Sequence, residues 1–152
     1  MTLTQKETLL LKDLTAQEKL CIEKYDKYAA DACDCKLKNL FTYMRQIEQS
    51  HLDTLNQIAQ GQVPSQNSGS QPVKPDLNTA GNACQPDQKQ SDAYLCQDAL
   101  TTEKHASSLY DTSIFEFVNP QLRQILNHIQ KEEQQHGEDL YCYMTKNGIQ
   151  CG

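Results

Sequence analysis

A chain of 152 residues and 17.3 kDa is the size of one compact domain, and it is expected to form a single unit over 1–152. The net charge of −6 and pI near 5.1 argue against a nucleic-acid binder, which needs a basic footprint, and against an electrostatic anchor on acidic lipid. No apolar run approaches the ~20 residues of a membrane span, and Met1–Glu7 lacks the basic-then-apolar order of a signal peptide, so an intracellular protein is expected.

In chain order, helical phasing runs from about Thr4 to Gln60, with a break near Asp31–Lys36. Residues 61–90 read as a connector: four of the five prolines fall between 61 and 86, and apolar periodicity is almost absent. A second helical block spans 91–147 and breaks at Asn119-Pro120, because proline disfavours helix for the residue before it. The two blocks match when shifted by 85 residues without a gap: Leu10 on Leu95, Glu18 on Glu103, Tyr25 on Tyr110, Leu37 on Leu122, Glu48 on Glu133, His51 on His136 and Leu55 on Leu140. A duplicated helical hairpin accounts for this, 4–60 and 91–147. The predicted fold is all-α, a four-helix bundle of ferritin-like topology with a long crossover between helices 2 and 3.

The seven cysteines include no Cys-x-x-Cys, which leaves no zinc knuckle, rubredoxin-type centre or thioredoxin-like pair. An odd number without a secretion signal reads as reduced thiols, small buried or rim hydrophobes, with intermolecular cross-linking as the alternative.

The repeat carries one Glu on the first helix of each block, Glu18 and Glu103, and a Glu-x-x-His on the second, Glu48 with His51 and Glu133 with His136. This is the ligand pattern of di-iron and di-manganese carboxylate bundles. Side chains three apart share a helix face. Glu18 and Glu48 lie at similar distances from the first turn, as Glu103 and Glu133 do from the second, so all four helices present ligands in one layer. Each candidate also interrupts an apolar stripe, such as Leu37, Phe41, Met44, Glu48, His51, Leu55. Four carboxylates in a core require a cation, and two divalent ions would cancel their charge. Mixed carboxylate and imidazole ligands suit iron, with manganese or zinc as alternatives. His105 and His128 lie off this register and read as surface groups. Tyr25 and Tyr110 read as core phenols bonded to carboxylates, or alternatively as redox groups beside the metals. Gly137 is an unfavourable residue for a helix interior.

The six-residue pattern and the two tyrosines resemble the bacterioferritin and rubrerythrin branch of the ferritin-like superfamily across both hairpins. That resemblance implies oxygen or peroxide chemistry at a di-iron centre, with Glu48 and Glu133 bridging, Glu18 and Glu103 terminal, and His51 and His136 each capping one ion. This chain has no rubredoxin-like Cys-x-x-Cys pairs of the kind rubrerythrins carry, and no fifth short helix, as in the storage cages, is expected after the bundle. Residues from about Tyr94 to Gly148 also resemble the coat F family of spore coat proteins. The carrying segments are Leu100-Thr101-Thr102-Glu103-Lys104 with Tyr110, Asn119-Pro120-Gln121-Leu122-Arg123, and Tyr141-Cys142-Tyr143-Met144-Thr145-Lys146-Asn147-Gly148. The resemblance implies a ferritin-like bundle in spore-forming bacteria, with spore coat proteins as partners, and an exposed bundle face with an acidic surface also permits a homodimer. Three functions are therefore expected in turn: a coat protein that retains a dinuclear metal site, a di-iron oxidase or peroxide reductase, and a metal-free helical scaffold.

Overall fold

The computed structural model describes residues 1–65, 71–81 and 84–151; the expected connector residues 66–70, 82 and 83 lie outside this description. Four helices form a four-helix bundle: α1 (Gln5–Asp31), α2 (Cys35–Ala59), α3 (Pro86–Ile114) and α4 (Pro120–Lys146). No strand occurs among the described residues, and no described helix is long and apolar enough to cross a membrane. α1 packs mainly on α2 and α3 mainly on α4, with further contacts between α1 and α3 and between α2 and α4.

Each helix start has a local cause. Thr4 and Glu7 form a reciprocal capping box on α1: the Thr4 hydroxyl accepts from the Glu7 N–H at 3.0 Å, and Glu7 Oε1 accepts from the Thr4 N–H at 2.8 Å. Asp34 and Asn119 cap α2 and α4 by accepting from the N–H groups of Lys36 and Gln121. α3 begins at Pro86, inside the stretch assigned to the connector. Gln85 and Gln88 bond reciprocally there, and proline suits the first helical position; the polar run Asp87–Gln90 has no apolar residue to reveal the helix. α2 ends on Gly61, at φ +85°, where a side chain would be strained.

Two tertiary contacts lock the ends of the bundle. At one end, Asp92 of α3 accepts from the backbone N–H groups of Cys33 and Asp34 at 2.9 and 3.0 Å, and Tyr143 of α4 donates to Asp34 at 2.5 Å. α3 therefore starts at the end where α2 starts. Cys33 in this turn and Cys84 just before α3 are joined by a disulfide with Cα atoms 6.4 Å apart, which corrects the expectation that all seven cysteines are reduced. The partners lie 51 residues apart on two non-helical segments, so no sequence spacing marks them. Cys21 and Cys96 are free and buried, as small hydrophobes should be. At the other end, Glu7 Oε2 accepts from the Val118 N–H at 3.1 Å, tying the start of α1 to the α3–α4 turn.

The apolar core is divided. One cluster gathers Tyr25, Phe41, Met44, Cys96, Leu100 and Leu140 with Leu77 of the connector; the other gathers Leu14, Leu55, Tyr110, Leu122, Leu126 and Ile129. Between them lies a layer of buried polar side chains.

Burial works against the charge on Glu7, but the backbone N–H groups of Thr4 and Val118 donate to its carboxylate and, with the Thr4 hydroxyl beside it, hold the carboxyl below the ordinary value. Glu7→Ala is expected to lower stability by about 2 kcal/mol in urea denaturation at neutral pH. The difference from wild type shrinks as pH falls below the ordinary glutamate value, because the wild-type carboxylate is then protonated.

Candidate metal centre

The polar layer contains all six residues singled out above. Glu18 comes from α1, Glu48 and His51 from α2, Glu103 from α3, and Glu133 and His136 from α4; each is at most 2% exposed. They form two overlapping groups, Glu18, Glu48, His51, Glu133 and Glu48, Glu103, Glu133, His136, and within each the donor atoms lie within 4.8 Å of one another. Glu48 and Glu133 belong to both.

The central carboxylates divide their oxygens between the two groups. Glu133 places Oε1 3.0 Å from His51 Nδ1 and Oε2 3.9 Å from His136 Nδ1. Glu48 places Oε2 3.5 Å from His51 Nδ1 and Oε1 3.0 Å from His136 Nδ1. Glu18 Oε2 lies 3.7 Å from His51 Nδ1, and Glu103 Oε1 lies 3.3 Å from His136 Nδ1. Despite these approaches, both oxygens of Glu48 and Glu133, Oε2 of Glu18 and of Glu103, and Nδ1 of His51 have no hydrogen-bond partner. Atoms that are close, buried and unpaired point at common centres rather than at each other. Donors ~2.1 Å from a small divalent ion lie ~3–4 Å from one another, and the approaches here run from 3.0 to 3.9 Å. Oxygen and imidazole donors together fit iron, manganese or zinc.

The tyrosines cross between hairpins. Tyr25 of α1 donates to Glu103 Oε1 on α3, and Tyr110 of α3 donates to Glu18 Oε1 on α1 at 2.5 Å. α1 and α3 run antiparallel, so seven residues forward on either helix leads toward the other helix's glutamate. Burial, reinforced by the neighbouring carboxylates, holds both phenols well above their ordinary pKa, so they remain hydrogen-bond donors.

Glu132 is the residue that motif reading missed. Its Oε1 lies 3.0 Å from Nε2 of His51 and 3.3 Å from Nε2 of His128. His128 and Glu132 are four apart on α4, and Glu132 adjoins Glu133; that pairing was the available signal. His105 is exposed and His128 about half exposed, as expected for surface groups, although His128 is tied to the centre through Glu132.

Burial raises Glu48 and Glu133 far above the ordinary carboxyl value, and the charges of Glu18 and Glu103 push both further. Burial also acts on Glu18 and Glu103, yet there it is outweighed: Glu48, His51 and Tyr110 hold Glu18 down at about 2, and His136, Glu133 and Tyr25 hold Glu103 low. Burial works against charge on the histidines, but Glu132, Glu133 and Glu18 raise His51, and Glu103 and Glu133 raise His136. Without a metal these environments favour protons on the central carboxyls and on the imidazoles, and a metal binding there would compete with them.

Gly137 faces a cavity of about 550 Å³ between α3 and α4 that reaches Glu103 and Glu133. A Cβ there would meet only Leu100 Cδ1, at an ordinary 3.8 Å. Gly137→Ala is expected to raise stability by about 0.5–1 kcal/mol in thermal or urea unfolding, the helix-propensity difference. A decrease would mean that the open space is needed by the fold.

The proton-holding groups set a pH dependence. Glu48 and Glu133 bind protons more tightly folded than unfolded, so their stabilisation is present below the ordinary value of 4.5 and lost as pH rises. His51 and His136 act in the same direction above 6.5. Glu18 and Glu103 act oppositely, but only below 4.5. The Tm of metal-free protein is therefore expected to fall between about pH 5 and about pH 8, and to rise over the same window with a saturating divalent metal, whose binding releases protons. Calorimetric scans across this window check it; a metal-free Tm that climbs with pH contradicts the assignment.

No curated protein and no solved structure matches the chain. Residues 91–150, which carry most of α3 and all of α4, match the Coat F domain, so the second hairpin of this bundle is similar to that family over somewhat less than half of the chain.

Proposed function

We propose that the chain is a coat F-type protein on a ferritin-like bundle that holds two divalent metal ions, iron foremost. The observation that carries this reading is the division of oxygens: Glu48 and Glu133 each offer one oxygen to the His51 side and one to the His136 side, with every one of those oxygens buried and unpaired. Glu18 with His51 completes one ion position, and Glu103 with His136 the other. A bound dinuclear iron centre would supply oxidation–reduction chemistry with oxygen or peroxide. The chain's own part is to hold the donors in place. Tyr110 and Tyr25 each fix one oxygen of a terminal glutamate, leaving the other for metal, and the two apolar clusters pack on either side of the layer.

In this reading the site's first duty is structural, within a spore coat and among coat proteins or further copies of the chain. The second-hairpin match supports that setting. The alternative, a di-iron oxidase or peroxide reductase, draws its support from the phenols of Tyr25 and Tyr110 in direct contact with ligand carboxylates and from the cavity reaching Glu103 and Glu133. A metal-free scaffold accords poorly with four enclosed carboxyls that only protons and two imidazoles would balance, since replacing them would then relieve buried repulsion.

Protein purified without chelators or metal-affinity tags is expected to carry about two metal ions per chain by plasma mass spectrometry, and Glu48→Ala to lose them. Coat incorporation of Glu48→Ala in a spore-forming host separates the first two readings: impaired incorporation marks a structural metal. Unimpaired incorporation, together with peroxide turnover by iron-loaded wild type, marks an enzyme. If wild type neither carries metal nor takes up ferrous ion, and Glu18, Glu48, Glu103 and Glu133 changed to Gln stabilise the fold, the scaffold stands.

A further inference from the structure

His51 and His136 occupy matching places in the two hairpins, but the repeat is broken around their outer nitrogens. Beyond His51, Nε2 meets Glu132 Oε1 at 3.0 Å, and Glu132 in turn meets His128. The positions 85 residues earlier, which the duplication places beside His136, hold Ile47 for Glu132 and Tyr43 for His128. Ile47 is buried, and the Tyr43 ring stands edge-on to the His136 ring at 6.4 Å between centroids. Among the described residues, no carboxylate is placed against the outer nitrogen of His136.

The difference has chemical weight. A histidine whose far N–H is accepted by a carboxylate is fixed in the tautomer that turns a lone pair toward the metal, and it becomes a stronger donor. His51 has this support and His136 does not. Glu132 also places a negative charge in direct contact with His51, whereas the buried carboxylate on the His136 side, Asp139 beside Tyr43, is paired with Lys74 at 2.9 Å. A cavity of about 420 Å³ opens on that side, lined by Ser50, His51, Thr54, His128 and Glu132, so an ion arriving from solvent meets polar groups along its way.

We propose that the two ion positions are unequal: the one formed by Glu18 and His51 fills first and holds its ion more tightly, and Glu132 is the positioning residue responsible. This rests on the dinuclear reading above and adds an order to it.

The test titrates cobalt(II) into the metal-free full-length chain, followed by calorimetry and by the visible absorption of the bound ion. Wild type is expected to bind in two resolved steps. Glu132→Leu should weaken the tight step ~10–100-fold and leave the weak one in place, while Glu132→Gln, which keeps a carbonyl acceptor, recovers part of the loss. His51→Ala should remove the tight step and His136→Ala the weak one. Glu132 is partly exposed, so these changes are tolerable to the fold, and circular dichroism melts establish that each variant is folded. Two equal steps in wild type, or a tight step unmoved by Glu132→Leu in a folded variant, would overturn the proposal while leaving two bound ions and the dinuclear reading intact. Failure of wild type to bind cobalt at all would sink both.

Discussion

Everything in this bundle is arranged around one electrostatic problem: four carboxyls and two imidazoles enclosed at its centre, away from water. Carboxylates that close and that buried repel, and desolvation penalises each ionised form. Without a cation the cluster manages only by protonating its central pair and its histidines. With two divalent cations the same six groups are neutralised without any proton. The geometry favours the second solution, because the oxygens of Glu48 and Glu133 are unpaired toward one another and oriented outward to either side.

The rest of the fold keeps those groups where they are. An apolar cluster closes the bundle above and below the polar layer, and the interhelical pairs Tyr25–Glu103 and Tyr110–Glu18 brace α1 against α3 at the level of the site. The turns are fixed from other helices: Asp92 and Tyr143 hold the α1–α2 turn, and Glu7 holds the α3–α4 turn. Such anchoring matters for a ligand set, since a small shift of any one helix would pull a donor off its centre.

Much of this was legible in the residues. Periodicity and the 85-residue repeat give four helices and their breaks, because amphipathic helices write their burial into their spacing. Glu-x-x-His on two helices, each with a partner glutamate interrupting an apolar stripe, picks out the six buried residues that the structure brings together. What stayed hidden depends on contacts between distant segments. The Cys33–Cys84 disulfide joins two irregular stretches, and the start of α3 lies in a polar run without phasing. Glu132 carries little local mark beyond its spacing from His128, since its contact with the centre comes from the side chain of α2 opposite it. The exchange of tyrosines between α1 and α3 likewise needed the antiparallel packing of the two hairpins, which no local pattern records.

That exchange bears on what a half of this chain could do alone. A single hairpin supplies two glutamates, one histidine and a tyrosine, but its tyrosine serves the other hairpin's glutamate and each candidate donor group includes a central glutamate from across the interface. A protein consisting of one such hairpin would therefore hold no complete position by itself. It would have to associate with a like copy to assemble one, whereas carrying both hairpins in one chain makes that pairing independent of concentration.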